Sequence, residues 1–210
     1  MDHILSIVTV NWKSDDFLKV LKESATLTSV PYEFICIDNS INNIGHGEGL
    51  NAGAAQATGK YVMFVDVDCH FLKLGWEQPI LKLLESCDVV AGKGVPVKPI
   101  RPACMCLKTE IAKKYNWAAS PGYKGHRITP TGFDVAIKAY YQMRGDNVKI
   151  DYMHPLPNRY GTLNGEEFSI NQEPLVYHHW HGTHLKERSV DFPGIDLFAD
   201  KDKLFKALLP

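Results

Sequence analysis

The sequence predicts an α/β fold, a mostly parallel sheet flanked by helices, and three observations carry that expectation. Short apolar, β-branched runs alternate with amphipathic segments through the first half of the chain. Their order is strand, helix, strand, helix, strand, which right-handed crossovers turn into neighbouring parallel strands. The strand segments are apolar almost throughout, as strands covered on both faces are. At 210 residues the chain is long enough for one sizeable domain with a real core.

Taken in order, Ile4 to Val10 reads as a buried strand, and Asp15 to Thr26 as a helix capped by Ser14 or Asp15. Tyr32 to Asp38 is a second strand. A glycine-rich loop then passes into an alanine-rich helix over Gly47 to Ala57, and Lys60 to Val65 is a third, strongly apolar strand. Leu81 to Glu85 reads as helical, Asp88 to Ala91 as a further strand, and Cys104 to Lys114 as a strand end leading into a helix. Val135, Ile137, Ala139, Tyr140 and Met143 have helical spacing; a strand over Val148 to Asp151 follows the stop at Gly145. Prolines at 96, 99, 102, 121 and 130 break the middle into loops, and apolar residues at 197, 198, 204, 205, 208 and 209 fit an amphipathic helix docking on the body. The expected division is one domain, with a ligand-binding half over about 1–95, a second half over about 96–190 and a C-terminal helix over about 196–209.

Lys plus Arg total 23 and Asp plus Glu 24, a net charge of −1, which argues against nucleic acid or an anionic membrane as partner. A 45% hydrophobic and 22% charged composition excludes a disordered or coiled-coil chain. No apolar run approaches the roughly 18 residues of a membrane span, and the start lacks the basic region and cleavage site of a secretory signal. A cytoplasmic protein is expected. Five scattered cysteines do not form a disulfide framework. Cys104 and Cys106 are a single C-x-C, read as packing on one side of a strand before metal binding.

In an open α/β sheet the ligand lies at the carboxyl ends of the strands. Those ends here are Asn11-Trp12, Asp38-Asn39-Ser40 and Asp66-Val67-Asp68. Carboxylates, an amide and an aromatic ring side by side suit a nucleotide with a divalent cation on its phosphates. If the chain stays extended, Asp66 and Asp68 point the same way and offer the hard oxygens that Mg²⁺ or Mn²⁺ prefers; the plainer alternative is a pair of turn-capping aspartates. Glycines at 45, 47, 49 and 53 let backbone approach a ligand, and the helix start after them favours anions. They form neither a dinucleotide fingerprint nor a Walker A loop. Four histidines fall within Val176 to His184, at 178, 179, 181 and 184, where a zinc site competes with plain loop lining.

The stretch Asn43 to Asp68, N-I-G-H-G-E-G-L-N-A-G-A-A-Q-A-T-G-K-Y-V-M-F-V-D-V-D, resembles the nucleotide-sugar core of inverting family 2 glycosyltransferases of GT-A fold. The resemblance extends back to Thr9-Val10-Asn11-Trp12 and Ile37-Asp38-Asn39-Ser40, and forward to Gly132-Phe133-Asp134-Val135-Ala136-Ile137, which is similar to the family's G-E-D-x-D-L helix start. The loop most resembles that of rhamnosyltransferase-type members. Length and organisation also resemble the N-terminal glycosyltransferase domains of chlorella-virus capsid-glycosylation proteins, which would place the chain in host cytoplasm with further domains of a longer polypeptide.

The resemblance implies a nucleotide-diphospho-sugar transferase that moves rhamnose or glucose from a UDP-sugar, with dTDP second, to a hydroxyl of a glycan or glycoprotein, with Mn²⁺ or Mg²⁺ as cofactor. It implies that Asp38 bonds uracil, Trp12 lies beside the base with Asn11, and Asn51 opens the helix at the donor. Asp66 would meet ribose or metal, Asp68 the metal directly, and His179 would complete the metal shell, with His178 and His181 as neighbours. Asp134 would be the base that deprotonates the acceptor. The family's Glu before the base is Phe133 here, the second Asp of that motif is Ala136, and the Arg before the N-x-G asparagine is Leu50. Asp151 is the reserve base, then Glu166 or Glu167. Arg101, Lys108, Tyr123, Lys124, His126 and Arg127 are acceptor-side candidates, and Trp117, Tyr123 and Trp180 candidate sugar platforms. The alternatives are a nucleotidyltransferase, disfavoured because no glycine follows the first strand, and a non-catalytic sugar- or nucleotide-binding module.

Overall fold

A computed structural model describes residues 3–95, 98–119, 135–156 and 165–179. The early elements follow the expected order: β1 (Leu5–Asn11), α1 (Asp15–Ala25), β2 (Tyr32–Asp38), α2 (His46–Gln56) and β3 (Tyr61–Val65). Then come β4 (Cys69–Phe71), α3 (Gln78–Leu83), β5 (Val89–Val95), β6 (Lys98–Lys108), α4 (Thr109–Lys114), α5 (Ile137–Gly145), β7 (Ile150–Leu156), β8 (Gly165–Ile170) and β9 (Glu173–His179). The strands form one sheet in the order β2-β1-β3-β6-β5-β7-β8-β9-β4.

β1 runs parallel to both β2 and β3. The sheet turns mixed at β6, which is antiparallel to β3 and β5, whereas β7 is parallel to β5. The carboxyl ends of β1, β2, β3, β5 and β7 therefore share one edge. The far side of the sheet is antiparallel: β7 pairs with β8, β8 with β9 and β9 with β4.

Two cores cover the two faces, and strand periodicity sorts residues between them. Leu5 and Ile7 of β1, with Tyr61, Met63 and Val65 of β3, pack against Leu21 and Ala25 of α1 and Ile80 of α3. Val8 and Val10, with Val62 and Phe64, face the opposite way onto Leu50 and Ala54 of α2, Ala112 of α4 and Met143 of α5. Cys69, Cys87, Cys104 and Cys106 all lie in the first core as free thiols, as the strand-packing reading of the C-x-C expects.

The glycine-rich segment differs from the expected ligand loop. The helix already begins at His46, and a side chain at Gly49 or Gly53 would run into Val10 or Val8 of β1, Gly53 at 2.3 Å. Gly47 lies against the backbone of Trp117 and Ala118. Three of the four glycines thus bring α2 into close packing, and Gly45, at φ +95°, makes the entry turn.

Two further differences bear on the later strands. Pro99 and Pro102 lie inside β6 rather than in loops. Pro102 falls beyond the last residue paired with β3 and inside the register shift opposite Ala91 and Gly92, where a missing N–H breaks no ladder bond. The β8–β9 hairpin, not expected from sequence, turns at Asn171 and Gln172, both left-handed at φ 51° and 66°. The expected C-terminal helix over 196–209 lies outside the described residues. Among the described residues no helix is long and apolar enough to cross a membrane.

Gly53→Ala is expected to lower the free energy of unfolding by about 1–3 kcal/mol through overpacking against Val8, despite alanine's better helix propensity. Gly145→Ala, where an added Cβ meets nothing within 4 Å, should be neutral or stabilise by up to about 1 kcal/mol. Urea titrations of the two variants check the pair; equal effects would overturn the packing account of α2.

Candidate functional site

The carboxyl ends of β2, β1 and β3 set Asp38, Asn11 and Asp66 side by side along one edge. Asp38 and Asn11 are register partners. Asp38 is exposed, and its Oδ1 accepts the Ser40 N–H at 2.8 Å. The Ser40 hydroxyl and N–H hold its carboxyl below the usual range, so it stays an anionic acceptor at the lip of the edge. Asn11 is almost wholly buried and works locally: its Nδ2 donates to Asp15 at 2.9 Å and its Oδ1 accepts the Ser14 N–H at 3.1 Å, fastening the start of α1. Trp12 is half-buried beside it, and Lys13 Nζ lies 5.7 Å from its ring centroid.

Asp66 and Asp68 leave β3 in a turn rather than in the extended form expected, closed by the Cys69 N–H donating to the Asp66 carbonyl at 3.0 Å. The turn leads into β4, and Cys69 is the register partner of His178 on β9. His178 Nε2 consequently lies 3.6 Å from Asp68 Oδ1 and 3.9 Å from Asp66 Oδ2. On the other side of Asp66, His46 Nε2 at the start of α2 stands 3.3 Å from Oδ1. Behind His178, its Nδ1 lies 3.8 Å from Glu166 Oε1, which Arg101 meets at 3.0 Å.

The electrostatics of this group favour positive charge among its carboxylates. Burial alone would raise the Asp66 pKa, but the charge and hydrogen bond of His46 and the charge of His178 outweigh it and hold the carboxyl below its ordinary value. Burial alone would lower His178, yet Asp68, Glu166 and Asp66 together push it above its ordinary value. Three carboxylates thus favour a positive charge at the imidazole. Donor atoms of Asp68, Cys69 and His178 lie within 4.8 Å of one another. Cys69 is the poor member: burial, then Asp68 and Asp66, drives its thiol well above the ordinary value, so it keeps its proton. Asp68 and His178 remain, with Asp66 Oδ2 3.9 Å from the same imidazole nitrogen, and carboxylates with an imidazole suit Mn²⁺ or Mg²⁺ better than a thiolate-seeking metal. The start of α2, where no side-chain hydrogen bond caps Gly45 among the described residues, lies on the same edge, and a helix start is favourable to an anion.

Several expected residues fall elsewhere. His179 turns to the opposite face of β9, with its ring 5.5 Å from Phe17, 5.1 Å from His70 and 4.7 Å from Tyr177. Its backbone N–H donates to the Asp68 carbonyl at 2.9 Å, so it braces the turn while His178 faces the carboxylates. Asn51 donates to Asn116 at 2.8 Å and accepts the Trp117 N–H at 2.9 Å, tying α2 to that segment. Trp117 is wholly buried, edge-on to Phe64, and no sugar platform. Asp151 and Lys108 lie at the opposite edge of the sheet, because β7 begins at Ile150 and Lys108 pairs with Tyr61 at the start of β3. Asp151 is therefore a strand-start residue, not the strand-end base held in reserve, and Lys108 bonds Asp88 at 2.7 Å. Glu167 is wholly buried. Arg101 is on the site edge. Asp134, Tyr123, Lys124, His126, Arg127, Trp180, His181 and His184 lie outside the described residues. His46 was not singled out from the sequence; its signal was its position between Gly45 and Gly47, at the first residue of the helix.

Residues 5–105 match the family model described as glycosyl transferase family 2. No curated protein matches the sequence. Among solved structures, the mannosyltransferase PcManGT from Pyrobaculum calidifontis, in complex with GDP-Man and Mn²⁺, is 11% identical with a TM-score of 0.54, over 76% of this chain and 59% of its own. S. aureus TarS 1-349 with UDP-GlcNAc is 15% identical with a TM-score of 0.51, over 98% of this chain and 71% of its own. The catalytic domain of Drosophila beta1,4galactosyltransferase 7, in complex with xylobiose, is 12% identical with a TM-score of 0.53, over 95% and 78%. At such identities the likeness is one of fold, and the fold is GT-A.

Behind the carboxylates, His70 is 3% exposed, and burial pushes its pKa down to about 3. Its folded pKa lies below the ordinary value of 6.5, so the unfolded chain binds the extra proton and stability falls as pH drops from 6.5 toward 3. Between pH 7 and 5 this one group is expected to remove about 2 kcal/mol. Urea unfolding at the two pH values should show that much less loss in His70→Asn; an equal loss would mean that His70 charges in the folded protein.

Proposed function

We propose that this protein is a glycosyltransferase of family 2 that transfers a sugar, rhamnose or glucose, from a UDP-sugar to a hydroxyl of a glycan by a single inverting displacement. The observation that carries the reading is the convergence of Asp66, Asp68 and His178 on one point, at the strand-end edge that also holds Asp38, in a chain of GT-A fold. The family match over residues 5–105 supports it, as do structural relatives whose complexes contain a GDP- or UDP-sugar, one of them with Mn²⁺.

In this reading Asp66, Asp68 and His178 hold Mn²⁺ or Mg²⁺. The ion supplies positive charge against the donor diphosphate and the charge that grows on it as it leaves. Asp38 accepts from the uracil N–H, and the half-buried Trp12 ring covers the base. His46 and the first N–H groups of α2 lie on the diphosphate side. Asp134 removes the acceptor hydroxyl proton while that oxygen forms the new bond to the anomeric carbon and the bond to the diphosphate breaks, which inverts the centre. Because the chain spans 59% of the mannosyltransferase's length, further domains of a longer polypeptide belong to the same proposal, as does a viral capsid-glycosylation setting.

Calorimetric titration with UDP, GDP and dTDP, each with and without Mn²⁺, is the direct test. Mn²⁺-dependent preference for UDP is expected, and Asp68→Ala should remove it. Asp134→Asn should bind UDP within about threefold of wild type yet lose about a hundredfold or more in transfer, the size of general-base contributions. Absence of nucleotide binding under any condition would overturn the donor reading; loss of UDP binding in Asp134→Asn would overturn the base assignment alone.

A further inference from the structure

The described edge carries a contact that donor binding does not explain. Glu166 and His178 are register partners on β8 and β9, so their side chains leave the same face of the sheet. His178 Nε2 faces Asp66 and Asp68, and Nδ1 faces Glu166, at 3.8 Å from Oε1. The Nδ1 atom is buried and makes no hydrogen bond among the described residues. The Glu166 side chain is 7% exposed, and its Oε1 is drawn to Arg101 Nη1 at 3.0 Å. A carboxylate so deeply buried is costly unless partnered, and Arg101 offsets that cost while fixing its place. The imidazole ring stands between Glu166 and the two aspartates, so this carboxylate meets the cation site through the histidine and not beside it.

Resting on the metal reading above, we propose that Glu166, clamped by Arg101, is a positioning residue that accepts the Nδ1–H of His178 and so presents its Nε2 lone pair to the cation held with Asp66 and Asp68. A neutral imidazole carries its proton on one nitrogen only, and the acceptor that takes Nδ1–H selects the tautomer whose Nε2 is free to ligate. Closing 3.8 Å to hydrogen-bond distance takes a shift of about 1 Å. The chain Arg101, Glu166, His178 then runs from the central strand β6 through the β8–β9 hairpin to the turn after β3, and it fixes the ring's orientation as well as its proton.

The test is Mn²⁺ affinity of the full chain at saturating UDP, read by electron paramagnetic resonance of the unbound ion, in wild type, Glu166→Ala, Glu166→Gln, His178→Ala and Glu166→Ala/His178→Ala. Glu166→Ala is expected to weaken Mn²⁺ by about 10–100-fold. Glu166→Gln, whose amide oxygen still accepts Nδ1–H, should lose less than about tenfold, and it tests the idea should the alanine variant not fold. In the His178→Ala background Glu166→Ala should change affinity by less than about threefold, because its effect passes through the missing ring. The same loss with and without His178, or wild-type affinity in Glu166→Ala, overturns the positioning role. Wild-type protein that takes up no Mn²⁺ with UDP overturns the metal reading instead, so the two failures are distinct.

Discussion

The pairing of β4 with β9 is the contact on which the site depends. β4 is three residues long and follows Asp66 and Asp68 at once; β9 comes more than a hundred residues later. Their pairing places His178 opposite Cys69 and sends the His179 N–H to the Asp68 carbonyl. Without that ladder the aspartates would end a strand and face solvent, as countless strand-end aspartates do. With it, two carboxylates from the first half of the chain meet an imidazole from the second, and the turn between them is pinned on both sides.

That pairing is in turn supported from beneath. Ser24 of α1 donates to the Leu21 carbonyl and accepts the Phe71 N–H, so β4 is tied to the helix under it. Phe71 stacks on Trp76 at 3.5 Å between ring centroids, and both are fully buried. His70, Tyr177 and His179 form a second aromatic layer on the other side of the turn. Two neighbouring carboxylates repel each other, and a well-packed floor restrains them from moving apart.

How much of this could be read beforehand follows from the range of the interactions. β1, α1, β2, α2 and β3 are set by local periodicity and by right-handed crossovers, so their order was legible and their boundaries to within one residue, and with them the edge that carries Asp38 and Asp66. Which of His178 and His179 faces the aspartates was not, because it depends on the parity of a strand whose register is set by partners far away in sequence; a shift of one residue would exchange the two. Asp151 was misplaced for a related reason. Read as the end of a short strand it would lie on the site edge, but the strand runs on from Ile150 to Leu156 and puts it at the start. The glycines show a third limit: the same residues serve a ligand loop or a tightly docked helix, and only Val8 and Val10 beneath them decide.

The sheet's change from parallel to mixed explains why the charged residues gather where they do. At the parallel end, β2, β1 and β3 all deliver their carboxyl ends to one edge. β6 runs the other way, so what it brings to that edge is its earlier part, with Arg101 just beyond the last residue paired to β3. The β8–β9 hairpin closes around the same edge from the far side and contributes Glu166 and His178. β9 runs in the direction of β3 and brings the end of its strand to this edge, whereas β8 runs with β6, so Glu166 and Arg101 arrive together from strand starts. His178 stands between Glu166 and the two aspartates, and His46 flanks Asp66 from the start of α2, so each carboxylate of the group has a basic side chain within 3.9 Å.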